Sequence, residues 1–304
     1  MRPRSPGATL PAMTATGPFG ICAVALSTAD AATGLDAVAR AVAVARHRGA
    51  RLIVLPEAAL GGYLHETVVE GTVLRAAPPP LGDPAAAFAR LAAAAGDAVV
   101  CAGYTEAVAD RRFASVVCLS GDGVLGHQRK VHIPPGELGL ISPGEGFAAF
   151  DTPVGRLGML VCYDKLFPEA ARALALDGAQ IIACPSAWAV DRERPARRMR
   201  NDRQVRHFNA LDIARAVENQ VVWVSANQAG RRGRLRFPGQ AKVVDPDGRV
   251  LASTGPRPGL ALARLDPAAC VHAARDAISH LGDRVTGAYR TPAAPPPVLP
   301  PLPA

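Results

Sequence analysis

Gly49-Ala50-Arg51-Leu52-Ile53-Val54-Leu55-Pro56-Glu57 returns later in the chain as Gly178-Ala179-Gln180-Ile181-Ile182-Ala183-Cys184-Pro185-Ser186. Each stretch follows an alanine-rich run, one starting at Leu35 and the other spanning Ala170 to Leu176. The order predicts a helix, a glycine stop, a short strand and a proline. Glycine ends a helix because, lacking Cβ, it takes the left-handed position after the last turn at little cost. Proline has no N–H to give to a strand ladder, so it marks where a strand is expected to leave its sheet. A looser third copy runs from Ala214 through Gln220 into Val221-Val222-Trp223-Val224-Ser225. These strands are continuously apolar rather than alternating, which predicts cover on both faces of their sheet. The fold class is therefore α/β.

Working outward, Ile21 to Leu26, Ala98 to Tyr104, Phe113 to Leu119 and Lys242 to Val244 read as further strands. The turns Ser120-Gly121-Asp122-Gly123 and Asp245-Pro246-Asp247-Gly248 suit antiparallel hairpins, so mixed sheets are expected. The chain has 304 residues, 49% apolar and 20% charged, enough for one large domain with a sizeable core. That domain is expected over 18–290. The extension 1–17 lacks periodicity and is expected to be flexible, and 291–304 is a Pro- and Ala-rich tail.

The formal charge of +8 is local: seven arginines lie between Arg192 and Arg206, and Arg231, Arg232, Arg234 and Arg236 form a second group. No aromatic residues interleave with them for base stacking, so no nucleic-acid partner is expected. They read as a solvated helix face and a surface loop, or, because the first group follows Trp188, as groups that reach an anionic substrate. Cys22, Cys101, Cys118, Cys162, Cys184 and Cys270 are scattered, without Cys-x-x-Cys spacing. Neither a zinc site nor a disulfide framework is supported, and reduced thiols in a cytoplasm are expected. Arg2 and Arg4 ahead of Ile21 to Leu26 imitate a secretory signal, but that run is shorter than the roughly 7 to 15 apolar residues such a signal needs. No run of about 18 apolar residues is present, so no membrane span is expected.

Residues just past the carboxyl end of a strand are placed to meet ligands. Glu57 and Ser186 follow their prolines in this way, and Cys162 follows the apolar run Leu157 to Val161. An isolated free cysteine is more often a buried structural residue than a nucleophile. A thiol with a reference pKa of about 8.5 needs a base to remove its proton or a cation to hold the thiolate. Glu57 can supply the first. Lys130, in His127-Gln128-Arg129-Lys130-Val131-His132-Ile133-Pro134, can supply the second or stabilise an oxyanion.

In this order, Leu55-Pro56-Glu57, Arg129-Lys130-Val131-His132 and Val161-Cys162-Tyr163-Asp164 resemble the Glu-Lys-Cys pattern of the nitrilase superfamily of carbon–nitrogen hydrolases. The resemblance extends through Gly62-Tyr63, Ser142-Pro143-Gly144, Phe167-Pro168-Glu169, Pro185-Ser186-Ala187-Trp188, Arg215 to Gln220, Ala226-Asn227 and Asp245 to Gly248, covering about residues 18 to 265. It implies a four-layer αββα sandwich with two mixed sheets, and a homodimer or higher homo-oligomer joined through helices. Cys162 would be the nucleophile, Glu57 the general base and acid, and Lys130 with the Tyr163 N–H the oxyanion donors. Glu137 would orient the substrate or Lys130, while Tyr63, Trp188 and Ser186 would contact the substrate. No metal or organic cofactor is implied.

True nitrilases typically carry Cys-Trp-Glu where this chain has Cys162-Tyr163-Asp164, which resembles the amidase-like branches. Hydrolases of N-carbamoyl D-amino acids typically place two arginines next, to bind a carboxylate. Here those positions are Lys165 and Leu166, leaving half a clamp at most. The first reading is hydrolysis of a small linear amide, with an N-carbamoyl amine or amino acid as the alternative and a nitrile behind both. A non-catalytic interaction protein on the same fold and a Cys-His enzyme are the rivals from other classes. No sequence feature selects a histidine partner, since His127 reads as a turn residue and His132 as a motif position.

Overall fold

The computed structural model describes residues 17–27, 34–70 and 72–289. The expected extension 1–17, apart from Gly17, and the tail 291–304 lie outside the described residues. In chain order the first elements are β1 (Phe19–Ser27), α1 (Leu35–His47), β2 (Ala50–Val54), β3 (His65–Val69), β4 (Thr72–Ala76), α2 (Pro84–Ala95), β5 (Val99–Val108), β6 (Arg111–Ser120) and β7 (Gly123–Arg129). Then come β8 (Phe150–Thr152), β9 (Gly155–Met159), α3 (Pro168–Leu176), β10 (Ile181–Ser186), α4 (Arg203–Asn219), β11 (Val222–Arg232), β12 (Leu235–Pro238), β13 (Lys242–Val244), β14 (Val250–Ser253), β15 (Gly259–Leu265) and α5 (Pro267–Ala277).

The repeated units fold as helix, stop and strand. Gly49 and Gly178 end α1 and α3 in the left-handed conformation, at φ 88° and 85°. In the third copy Gln220 takes that position at φ 49°, a strained one for a residue with a side chain. Its amide is well employed there, donating to the carbonyls of Ala274 and Ile278 and accepting from the His280 N–H. One expectation fails: Pro185 does not end its strand, for β10 continues through Ser186, paired with β11 at Pro185↔Ala226 and Ser186↔Asn227. The missing N–H costs nothing. The Ala183 carbonyl faces β9, so the Pro185 nitrogen two residues on faces the same side, where β9 pairing has already stopped at Met159↔Ala183. His127 also differs, lying within β7 rather than in a turn.

Side-chain alternation builds the layers. In β1, Ile21, Ala23 and Ala25 enter one core cluster while Cys22, Val24 and Leu26 enter another. The same split separates Leu52 and Val54 from Ile53, and Val99 and Cys101 from Val100. In the second half, Ile181, Ala183, Val222 and Val224 join the first cluster, whereas Ile182, Cys184 and Trp223 pack outward with Leu174 of α3 and Ala216 of α4. The outward face of the first half packs against Val38 and Val42 of α1 and Leu91 of α2. The layers are therefore helices, sheet, sheet, helices, the expected αββα sandwich with mixed strand directions.

The two leaves, β7-β6-β5-β2-β1-β15 and β8-β9-β10-β11-β13-β14, share one continuous ladder of hydrogen bonds. Strand β1 pairs with β15 from Phe19 to Ala25, then with β11 at Ala25↔Asn227, Leu26↔Gln228 and Ser27↔Ala229. Those three pairs form a spine between the leaves. The β3–β4 hairpin is a separate two-stranded sheet. No helix among the described residues is long and apolar enough to cross a membrane.

Candidate active site

Strands β2, β5 and β7 run in the same direction in one leaf, and β9, β10 and β11 do so in the other. Glu57, Lys130, Cys162 and Ala187 each follow one of them, so all four collect at carboxyl ends beside the spine. The backbone under Glu57 is held closely. Gly103 N–H donates to the Pro56 carbonyl, and a Cβ on Gly103 would lie 2.5 Å from the Glu57 Cα, so only glycine permits this approach. Gln228 Nε2 donates to the Glu57 carbonyl from β11 at 3.0 Å.

Lys130 has its N–H on the Ala114 carbonyl and its own carbonyl accepting from Gly144 N–H. Its side chain is fully buried. Nζ lies 2.6 Å from Glu57 Oε1 and 2.9 and 2.8 Å from the two Glu137 oxygens. Tyr63 Oη donates to Glu137 Oε1 as well. Burial alone would push the Lys130 ammonium down, but Glu137 and Glu57 hold it above its ordinary value of 10.5. It therefore stays charged. Tyr63 stays protonated, raised by burial and by the charges of Glu137 and Glu57.

Cys162 sits at φ 51°, a left-handed position that costs a residue with a side chain about 1 to 2 kcal/mol. The kink turns the chain out of the β9 direction and brings the sulfur to the Glu57 carboxylate and the Ala187 N–H. Asp164, fully buried, fixes the turn: Oδ2 accepts from Val161 N–H at 3.0 Å, while Oδ1 accepts from the Val131 and His132 N–H groups at 3.2 and 2.8 Å. His132 Nδ1 is 2.9 Å from the same oxygen. One carboxylate thus binds the cysteine turn to the lysine segment. Arg215 holds the far side, donating to the Lys165 and Leu166 carbonyls at 2.9 and 3.0 Å.

Burial, and then the Glu57 charge, push the Cys162 thiol well above its ordinary 9.0, with Lys130 opposing. Burial also raises Glu57, Lys130 opposing and Glu137 adding to the rise. The resting pair is a neutral thiol beside a carboxylate that has an increased appetite for protons. Glu57 Oε2 accepts from Ala187 N–H at 2.9 Å, which aims its other oxygen at Lys130.

A cavity of about 480 Å³ opens onto this group. Cys162, Tyr163, Tyr63, Leu166, Ala187 and Trp188 line it, and among the three reactive residues only the cysteine does. Glu57 and Lys130 are buried beside the lining. Ser186 does not line the cavity; it is buried with Oγ donating to the Cys184 carbonyl at 3.3 Å. Trp188 is set by Asn227, whose side chain accepts from its N–H at 2.8 Å and donates to its carbonyl at 3.2 Å.

Lys165 supplies no half clamp. Its Nζ is buried against Asp212 Oδ1 at 2.8 Å and lies over the Phe208 ring. Asp212 also takes Lys242 Nζ at 2.7 Å and Trp223 Nε1 at 2.9 Å. Burial would raise this carboxyl, but Lys165 and Lys242 hold it below its ordinary value. Asp212→Asn leaves two buried ammonium groups uncompensated and should cost about 3 to 5 kcal/mol, read from the urea midpoint. A loss under about 1 kcal/mol would show that the lysines find other partners.

Asp164, Asn227 and Arg215 fall in motifs visible in the sequence, but their work as clamps was not read there. Asp212 was missed, and its signal was a lone acid between Leu211 and Ile213 on a helix.

A buried thiol, a carboxylate within reach of its proton and a charged ammonium beside both, at one end of an αββα sandwich, are the equipment of a thiol-dependent hydrolase. The chain belongs to the carbon–nitrogen hydrolase family, whose model matches residues 19–275. It is 29% identical over 242 residues to an N-carbamoylputrescine amidase of Solanum lycopersicum, covering 75% of this chain and 79% of the relative. It is 33% identical over 209 residues to a nitrilase of Pyrococcus abyssi, covering 68% and 73%. Among solved structures it resembles a variant of the amidase from Nesterenkonia sp. AN1, which carries the acetamide moiety of fluoroacetamide covalently added at its active-site cysteine. The TM-score is 0.67 at 26% identity, over 92% of this chain and 98% of that one. The expected superfamily, fold and hydrolase class therefore hold.

Proposed function

We propose that this hydrolase cleaves a small linear amide through a thioester on Cys162. The observation that carries the reading is the gathering of a buried Cys162 thiol, a Glu57 carboxylate whose proton affinity burial raises, and Lys130 with its Nζ 2.6 Å from Glu57 Oε1. As sulfur attacks the amide carbon, Glu57 takes the thiol proton, and the oxyanion falls to Lys130 Nζ and the Tyr163 N–H. Glu57 then gives that proton to the departing nitrogen, releasing ammonia or an amine and leaving the acyl group on sulfur. Water attacks the thioester, its proton going to Glu57, and the carboxylic acid leaves as Cys162 regains its hydrogen. Glu137, braced by Tyr63, holds Lys130 in place throughout. Trp188 and Tyr63 supply the walls of the cavity.

An N-carbamoyl amine is the second reading, favoured by the 29% identical relative of that specificity. A carbamoyl amino acid is less well served, because Lys165 is committed to Asp212. The nitrile reading has the Pyrococcus relative's name behind it, while Tyr163-Asp164 in place of Trp-Glu favours amides. Purified protein should therefore release ammonia without carbon dioxide from linear amides and show the acyl mass on Cys162 by mass spectrometry. Carbon dioxide from carbamoyl compounds alone would transfer the assignment to the second reading, and turnover of nitriles alone would overturn both.

A homodimer joined through the outer helices, working in a reducing cytoplasm, completes the proposal. Leu176 and Ile278, 48% and 62% exposed at the ends of α3 and α5, support the first part, and six free cysteines support the second. Sedimentation at micromolar concentration tests the dimer; a monomer would sink it.

A further inference from the structure

The segments that carry the two arginine groups of the sequence meet at the cavity. Residues 190–193, Arg203, Gln204 and His207 line it from one group, and Leu235 from the other. The groups are joined where Val190 N–H donates to the Arg236 carbonyl at 2.9 Å, and β12 pairs Arg231↔Arg236 and Arg232↔Leu235. Across 190–206 and 231–236 there are eleven arginines against Asp191, Glu193 and Asp202. Their excess equals the +8 of the whole chain, so the remainder of the protein is balanced in charge. The whole formal excess thus lies in two segments that meet beside the cavity, of which Arg192 and Arg203 line it.

The acids at that opening are largely answered. Glu66, buried on β3, takes Arg75 at 2.8 Å and also Arg192. Asp191 takes Arg203 Nε at 2.9 Å and the N–H groups of Glu193 and Arg194. Asp202 is spent on the first turn of α4, accepting from Gln204 N–H at 2.9 Å. Glu193 is the remaining lining carboxylate, exposed among arginines. At the buried end the balance is reversed, since Glu57 and Glu137 face the single charge of Lys130. A negative group is disfavoured beside the sulfur and favoured at the mouth.

Resting on the amidase reading, we infer that the preferred substrate is an amide with an anionic group at the end remote from the scissile bond, drawn in by this arginine rim. A cleft flanked by segments with an excess of one sign of charge raises the local concentration of the opposite sign, by about 10- to 1,000-fold where the field is strong, an effect that salt removes. The rim acts through its field, so exposed arginines that touch no substrate still contribute. This separates it from a two-residue clamp, which the engaged Lys165 and the apolar Leu166 do not provide.

The test compares three amides of one length: 5-amino-5-oxopentanoate (anionic), pentanamide (neutral) and 5-aminopentanamide (cationic). Each is assayed for kcat/KM with the native protein at about 10 mM and about 1 M NaCl. The expected result is a preference for the anion of about tenfold or more at low salt, carried by KM, which collapses at high salt while pentanamide changes little. Arg197→Glu, Arg200→Glu and Arg234→Glu together should lower kcat/KM for the anion about tenfold and leave pentanamide unchanged. Equal turnover of anion and pentanamide at both salts, or preference for the cation, overturns the inference and leaves the amidase reading standing. Turnover of none of the three, with no acyl mass on Cys162, overturns the amidase reading and this inference with it. The salt series uses the native protein, so it decides even if the triple variant folds poorly.

Discussion

Cys162→Ala is expected to lower kcat by on the order of 10⁴- to 10⁶-fold, because no thioester forms without the sulfur. The fold should survive the change. Alanine keeps the Cβ that cysteine already tolerates at φ 51°, so the backbone strain of the turn is unaltered. The clamps on that turn belong to Asp164 and Arg215, neither of which bonds to the sulfur in holding it. Thermal unfolding should therefore move by only about 1 kcal/mol or less. An alanine variant that keeps more than about a hundredth of wild-type activity would mean that Glu57 activates water directly on the amide, and the thioester route would be abandoned.

Glu57→Gln is expected to cost about 10³- to 10⁴-fold in kcat/KM and to erase the acid limb of the pH profile. On the proposed mechanism the reactive form is ionised Glu57 beside the neutral Cys162 thiol. Burial and Glu137 raise the Glu57 carboxyl above its ordinary 4.5, so kcat/KM should rise with pH through a midpoint higher than that. Burial pushes the thiol well above 9.0, so no further rise from thiolate formation is expected between neutral pH and about 9. The sign is distinctive. A thiolate–ammonium pair would instead gain activity as the thiol ionised near about 8.5. A profile of that second shape, or a glutamine variant that retains the acid limb, would remove Glu57 from the role of base.

Much of this arrangement was legible because glycine and proline punctuate it. Gly49 and Gly178 mark helix ends that only a left-handed residue completes, and the apolar strands after them could only be covered on both faces. The third copy was less distinct because Gln220 performs the same turn with a side chain, which tertiary bonds to Ala274 and Ile278 make worthwhile. Pro185 misled because its effect depends on whether a neighbour needs its N–H, and the end of β9 is set by pairing that local sequence does not reveal. Glu57, Lys130 and Cys162 were singled out by their motifs, and the structure gathers them in one place. The meeting of Lys165, Lys242 and Asp212 was not, since it joins residues 47 and 30 positions apart through the interior.

The three-pair spine between β1 and β11 joins the two halves of the candidate site. Glu57 and Lys130 belong to one leaf, Cys162 and Ala187 to the other, and Gln228, next to the spine pair Asn227, reaches across to the Glu57 carbonyl. A nascent or partly opened chain with the leaves apart would hold an ordinary cysteine and an ordinary glutamate, with no base for the one and no target for the other. Pairing of the two leaves is therefore what assembles the carboxylate, the ammonium and the thiol into one group.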